Sequence, residues 1–157
     1  MSGHSVTIEV DDVATVVDVE ALQELAHEVM EGESVPEGRA LAVLLTGDDE
    51  LRRLNREFRG IDEPTDVLSF PDESTEEFIG GAAALGDIAI SLETATRQAV
   101  AANRTVDREV SHLLLHGMLH LCGHDHEDGP EEAERMRERE EKYLGDLSEF
   151  HDPEEEN

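Results

Sequence analysis

The chain has 157 residues, which is enough for one domain and too few for two of ordinary size. Hydrophobic residues make up 38% of it and aromatic residues only 3%, so we expect an aliphatic core. No apolar run reaches the roughly 20 residues of a membrane span, the start MSGHSVTIEV lacks the pattern of an export signal, and the single Cys122 excludes an internal disulfide. These features predict a cytoplasmic protein that does not enter a membrane.

The charge balance is strongly acidic, with 40 Asp and Glu against 12 Lys and Arg and a net charge of −28. Three explanations compete: a disordered acidic chain, an acidic mimic of nucleic acid, or a folded protein with a halophile-like acidic surface. The hydrophobic periodicity argues against disorder. We favour the third, because the Debye length falls to about 3 Å in 1 M salt and self-repulsion then fades. A site for a polyanion must in that case be a local exception.

Strand and helix patterns follow each other along the chain, in incomplete alternation. Strands are predicted at residues 6–10, 40–45, 67–70 and 85–91, and helices at 19–30, 48–58, 92–102, 106–122 and 131–144. Residues 72–84 predict a loop. The pattern indicates a single-domain α+β fold, with a small mixed four-stranded sheet packed with about five helices. We expect the domain to span residues 1–146 and to be followed by an acidic, disordered tail at 147–157.

Five of the eight histidines lie in the run HLLLHGMLHLCGHDH at residues 112–126. His116 and His120 are four residues apart, so a helix places them on one face. Gly123 can end the helix and let His126 return as a third ligand. Three imidazoles with an open fourth position are typical of a catalytic zinc site, whereas structural zinc sites close with four protein ligands. We therefore predict one Zn²⁺ per chain, held by these three histidines.

Each neighbour of these histidines can be interpreted in its own way. His112 lies one helical turn earlier and is predicted to support a ligand from behind or to be a core histidine. His124 could replace His126 as the third ligand. Asp125 could orient an imidazole or only shape the turn, and Cys122 points to another side of the helix and is predicted to be a core residue.

The position after the first histidine separates classes of zinc enzyme. Zinc proteases of the H-E-x-x-H type carry their general base there, and this chain has Gly117 instead. A general base would have to come from elsewhere. Asp87, on a predicted strand, is one candidate, and a cap or turn role explains it equally well.

Four arginines lie in the run LRRLNREFRG, although the chain is acidic: Arg52, Arg53, Arg56 and Arg59. Arg52, Arg56 and Arg59 are separated by four and then three residues, so they can share one helix face. They could simply complement the helix dipole or pair with nearby acids. For a phosphodiester substrate, a guanidinium also binds phosphate and stabilises its transition-state charge. For such a substrate all four are candidate phosphate contacts, and we predict RNA contacts for Arg52, Arg53 and Arg56.

These runs together resemble one protein family. HGMLHLCGHDH is similar to the H-G-x-L-H-L-x-G-Y-D-H signature of the YbeY family, the metal-dependent endoribonucleases of bacterial rRNA maturation. FRGIDEPTDVLSFP and LGDIAIS resemble two further motifs of that family, in the same order. With the predicted elements, the resemblance covers nearly all of residues 5–145. His124 departs from it, because the family usually has Tyr there.

The resemblance implies an α+β fold with a three-histidine site in a cleft beside the sheet, with His116, His120 and His126 as metal ligands and Arg59 as the active-site arginine. It implies cleavage of single-stranded RNA, maturation of the 16S rRNA 3′ end and ribosome quality control. The small ribosomal subunit and its assembly proteins are then expected partners. Attack by water or by a ribose 2′-hydroxyl both stay open. A non-catalytic, zinc-stabilised ribosome-assembly factor and a zinc peptidase or amidohydrolase are the alternatives.

Overall fold

The computed structural model describes residues 4–11, 16–71, 84–123 and 129–144. Its elements in chain order are β1 Ser5–Val10, α1 Val19–Gly32, β2 Ala40–Thr46, α2 Asp48–Arg59, β3 Val67–Pro71, β4 Ala84–Ser91, α3 Leu92–Ala101, α4 Val106–Leu121 and α5 Pro130–Leu144. Each predicted strand and helix is present, with ends shifted by two residues or fewer, and the predicted α+β fold is confirmed. Nearly all of the predicted loop at 72–84 and the whole predicted tail at 147–157 lie outside the described residues.

The four strands form one mixed sheet in the order β1-β2-β4-β3. The first three strands in that order are mutually parallel, and α1 supplies the crossover from β1 to β2. The edge strand β3 runs antiparallel to β4, with Val67 opposite Ile90 and Pro71 opposite Gly86. This topology makes β3 an edge strand of the described sheet.

The two faces of the sheet carry cores of different size, because successive strand residues point to opposite sides. Ile88 and Ile90 belong to the larger core, which is built with α1, α3, α4 and α5. Ala89 belongs to a smaller cluster with Leu51 of α2 and Leu68 of β3. Helix α4 is buried over most of its circumference, as its apolar composition predicts. In the described part of the chain, no helix combines the length and the apolar character needed to cross a membrane.

The N-terminus of α2 is fixed to the start of α3 by a side-chain network. The carboxylate oxygen Oδ1 of Asp48 accepts hydrogen bonds from the Ser91 hydroxyl at 2.5 Å and the Thr94 hydroxyl at 2.6 Å. Arg97 donates to the other oxygen at 2.8 Å. Burial opposes ionisation of Asp48, but these three donors outweigh it and lower its pKa. The network therefore fixes α2 relative to β4 and α3, and Gly60 ends α2 in a left-handed conformation with φ +73°.

Candidate active site

A cleft of about 710 Å³ lies between β3 and α4. Its polar lining residues come from several elements and are Arg59, Asp66, Ser69, Gln98, Arg104, Glu109, His112, His116 and His120. With neutral histidines, this lining carries two positive and two negative charges. The cleft is therefore locally neutral in a chain of net charge −28, and it is the kind of local exception that binding of a polyanion requires.

His116 and His120 converge at this cleft from successive turns of α4. Their Nε2 atoms are 3.1 Å apart, and the ring planes are inclined at 76°. In a tetrahedral zinc site with Zn–N bonds of about 2.0–2.1 Å, two ligand nitrogens lie roughly 3.3 Å apart. The pair therefore fits two adjacent positions around a zinc ion, in agreement with the spacing of the two residues in the sequence.

The carboxylate of Glu140, on α5, contacts two histidines of α4. Its Oε2 atom lies 3.1 Å from Nε2 of His112 and 3.5 Å from Nδ1 of His116. A proton on Nδ1 of His116 that faces this carboxylate leaves the lone pair on Nε2, the nitrogen that faces His120. Burial alone would raise the pKa of Glu140, but its contacts with His112 and His116 outweigh burial and lower the pKa to about 2. Glu140 is therefore ionised at neutral pH and selects the tautomer of His116 that a metal needs.

The patterns used in the sequence analysis do not single out Glu140, which is one of many acids on α5 and lies 28 residues from His112. A signal was nevertheless present, because Glu140 is four residues after Met136 and so shares its helix face. Met136 is buried, at 3% exposure, and packs into the larger core. An acid on that face points toward the core, where it requires a partner.

His112 lines the cleft one helical turn before His116 and lies 3.1 Å from Glu140, and a supporting role toward a metal ligand stays a prediction. The hydrogen bond that His112 donates to the Glu140 carboxylate is the main cause of a raised pKa at His112, and it outweighs the opposing effect of burial. His112 thus shares its carboxylate with His116, so that one acid supports two neighbouring imidazoles.

The third histidine, His126, and its neighbours His124 and Asp125 lie outside the described residues, so their roles stay predictions. Within residues 4–11, 16–71, 84–123 and 129–144, no group of three or more His, Cys, Asp or Glu is arranged to hold a metal. Burial, together with the charge of Glu33, raises the pKa of the Cys122 thiol to about 11. Without a metal, Cys122 is therefore a protonated thiol at neutral pH.

Gly117 has a packing role on the face of α4 that meets the sheet. A Cβ atom at this position would lie 3.2 Å from Cδ1 of Ile88 and 3.4 Å from Cγ2 of Val67. These contacts are already tight for a single methyl group. Any side chain here, including the glutamate of an H-E-x-x-H protease, would therefore require the side chain of Ile88 to move by a few tenths of an ångström.

The arginines of α2 divide into two groups. Three form ion pairs on the surface: Arg52 and Arg56 with Asp62, and Arg53 with Glu50 and Glu57. Arg59 lines the cleft and forms no ion pair with any residue that the structure describes. Its guanidinium is therefore the one in this helix that is best placed to receive an anion, and RNA contacts by the other three stay predictions.

Asp87 does not line the cleft. It is exposed and lies on the opposite face of the sheet, in a groove that also contains Phe58 and Phe70. The physical reason is strand alternation, because Ile88 and Ile90 point toward α4 and their neighbours must point away. The suggestion that Asp87 acts as a general base at the histidines is therefore not supported by its position.

Comparison with known proteins identifies the family of this fold and cleft. The family model described as Endoribonuclease YbeY matches residues 7–148. The chain belongs to the YbeY family. Proteins named Endoribonuclease YbeY from Chloroflexus aurantiacus and Aquifex aeolicus are similar to it. The Chloroflexus protein is 46% identical over 145 residues, which cover 90% of this chain and 94% of the relative. The Aquifex protein is 49% identical over 108 residues, which cover 69% of this chain and 70% of the relative.

A solution structure of a Thermotoga maritima protein has the same fold. Its TM-score is 0.59 at 30% sequence identity, over 94% of this chain and 91% of that one. The resemblance found in the sequence motifs is thus confirmed over most of the chain. Within this YbeY-family fold, the cleft brings together Arg59, from the second motif, and the histidine pair, from the signature.

Proposed function

We propose that this chain is a zinc-dependent endoribonuclease that cuts single-stranded RNA, with His116, His120 and His126 as zinc ligands and Arg59 as the phosphate-binding residue. Membership of the YbeY family supports the endoribonuclease role. The observation that carries the proposal is the 3.1 Å approach of two Nε2 atoms in a cleft that Arg59 also lines. Imidazoles that converge in this way favour a shared cation.

Each residue of the cleft has a distinct task in this proposal. Zinc, when bound, supplies a Lewis acid and lowers the pKa of a water molecule. Arg59 binds the non-bridging oxygens of the scissile phosphate and stabilises the charge that develops on them. Glu140 holds the Nδ1 proton of His116, which keeps the opposite nitrogen available for the metal.

The cellular role that we propose is maturation of the 16S rRNA 3′ end and ribosome quality control in the cytoplasm. The substrate would then be presented on the small ribosomal subunit together with its assembly proteins. The near-neutral cleft admits a phosphate at short range, but a chain of net charge −28 repels RNA at long range. Docking on a larger particle would supply the affinity that overall charge does not.

Cleavage of a labelled single-stranded RNA by the purified protein tests the proposal. We expect cutting that stops when zinc is removed by a chelator and returns when zinc is added. His116→Ala should abolish cutting and bound zinc, and the control His27→Ala, on α1 and outside the cleft, should keep both. No cleavage of any RNA by the zinc-loaded protein would contradict the proposal.

Two further readouts separate the alternative functions. Activity on peptides instead of RNA would indicate a zinc peptidase or amidohydrolase, which Gly117, in place of the glutamate of H-E-x-x-H proteases, disfavours. In cells, His116→Ala should still associate with ribosomes but lose rRNA processing. Unchanged processing in that variant would favour an assembly factor that uses the fold without cleavage.

A further inference from the structure

A second arginine lines the cleft at the opposite end of α4 from His120. Arg104 lies in the α3–α4 connection, two residues before α4 begins, and its side chain is 24% exposed. It is close to Glu109, which is itself 7% exposed, and both residues line the cleft with the histidine pair. Nothing in the motifs of the sequence points to Arg104.

The side chain of Arg104 is largely buried, but its guanidinium makes few hydrogen bonds. Its single hydrogen bond within the described residues is a long one, 3.4 Å from Nη1 to Oε1 of Glu109, and its Nε atom is buried without a partner there. By contrast, Arg53 on α2 makes three hydrogen bonds of 2.7–2.8 Å to its carboxylates. A desolvated guanidinium with few partners loses free energy, and an anion bound from the cleft side would recover it.

The position of Arg104 also fits a linear substrate. Glu109 precedes His116 by seven residues of α4, which corresponds to roughly 10 Å along the helix axis. A strand that runs along the cleft can therefore place one phosphate at Arg104 while another lies at the histidine pair.

We propose that Arg104 binds a second phosphate of the RNA strand, at a distance along the cleft from the phosphate held by Arg59 at the histidines. This inference rests on the proposed ribonuclease function. It extends that function, because the affinity for RNA would then depend on the length of the strand. Arg104 contributes binding at a distance from the reacting phosphate. Its loss should therefore raise KM and leave kcat nearly unchanged.

A length series of single-stranded oligonucleotides tests this with the zinc-loaded protein. Arg104→Gln should raise KM about tenfold for oligonucleotides long enough to span both ends of the cleft, with kcat within twofold. Dinucleotide substrates should be cut by wild type and variant alike. The dependence of log KM on log salt should also become shallower by about 0.7, as expected when one phosphate contact of a single strand is lost.

Arg108→Gln is the matched control, because Arg108 lies on the same stretch of chain, carries the same charge and does not line the cleft. It should leave KM unchanged at every length. Glu109→Gln removes the carboxylate that competes for Arg104 and should lower or preserve KM for long substrates. If Glu109→Gln instead raises KM as Arg104→Gln does, Arg104 acts only through the ion pair and the proposal fails.

If Arg104→Gln alone does not fold, the double variant Arg104→Gln/Glu109→Gln replaces it in the test. The double variant removes both charges of the pair and so leaves neither buried without its partner. It should show the same length-dependent rise in KM. Equal KM changes for short and long substrates would overturn the phosphate contact while wild-type cleavage still supports the ribonuclease function. Absence of wild-type cleavage would contradict the function itself.

Discussion

The carboxylate of Glu140 lies 3.5 Å from Nδ1 of His116, on the side of the ring away from His120. Helix α5 thus contacts the face of α4 on which the two histidines converge. A carboxylate behind a ligating histidine fixes the tautomer and raises the basicity of the other nitrogen. The last helix therefore contributes to the candidate site through Glu140, although no described side chain of α5 lines the cleft.

We predict that Glu140→Gln weakens zinc binding about 10- to 100-fold, because the amide cannot offer the same negative charge to Nδ1 of His116. Competition with a chromophoric chelator measures the zinc Kd directly. Glu141→Gln is the control, since the neighbouring Glu141 pairs with Arg137 on the surface. Equal zinc affinity in the two variants would show that Glu140 does not support the metal site.

We predict that Arg59→Ala lowers kcat about 100-fold or more, because the developing charge on the phosphate loses its main cation. Bound zinc should be unchanged, since no described contact links Arg59 to the histidines. Steady-state cleavage of RNA and metal analysis of the same sample give both readouts. Arg137→Ala, an exposed arginine of α5 paired with Glu141, should keep full activity. Full activity of Arg59→Ala would remove this residue from the mechanism.

The sequence predicted the parts of this site that depend on local periodicity. The i, i+4 spacing of His116 and His120 fixes their convergence on any helix, and the apolar composition of α4 fixes its central place. The same periodicity also places Asp87 on the far face, because its neighbours Ile88 and Ile90 must both be buried. That consequence of strand alternation was available from the sequence.

Long-range contacts could not be predicted in the same way. Glu140 reaches His112 across 28 residues through the packing of α5 on α4, which no local pattern encodes. The arginines of α2 share a helical face by spacing, yet their separate roles depend on which carboxylates fold back beside them. Asp62, in the turn after the helix, forms ion pairs with Arg52 and Arg56. Arg59 lines the cleft and forms no ion pair with any described residue.

We predict that Gly86→Ala destabilises the fold by about 2–3 kcal/mol, through strain and steric conflict together. Gly86 has φ +153°, and a Cβ there would lie 2.6 Å from the Phe70 carbonyl oxygen and 2.9 Å from Cδ2 of Leu121. Gly60→Ala is the matched control, because Gly60 has φ +73° with nothing within 4 Å of an added Cβ. It should cost only about 1 kcal/mol. Denaturant unfolding measures both, and equal losses would contradict the packing argument.

We predict that the melting temperature rises between about 0.05 and 1 M monovalent salt, because screening reduces the self-repulsion of a chain with net charge −28. Most of the gain should come early and be equal for NaCl and KCl, since the Debye length is already about 8 Å at 0.15 M. An equal osmolality of sucrose controls for solvent exclusion. RNA affinity should change in the opposite direction, because phosphate contacts at Arg59 release counterions and weaken with salt. A melting temperature that falls over this range would contradict the interpretation of the acidic surface as a high-salt adaptation.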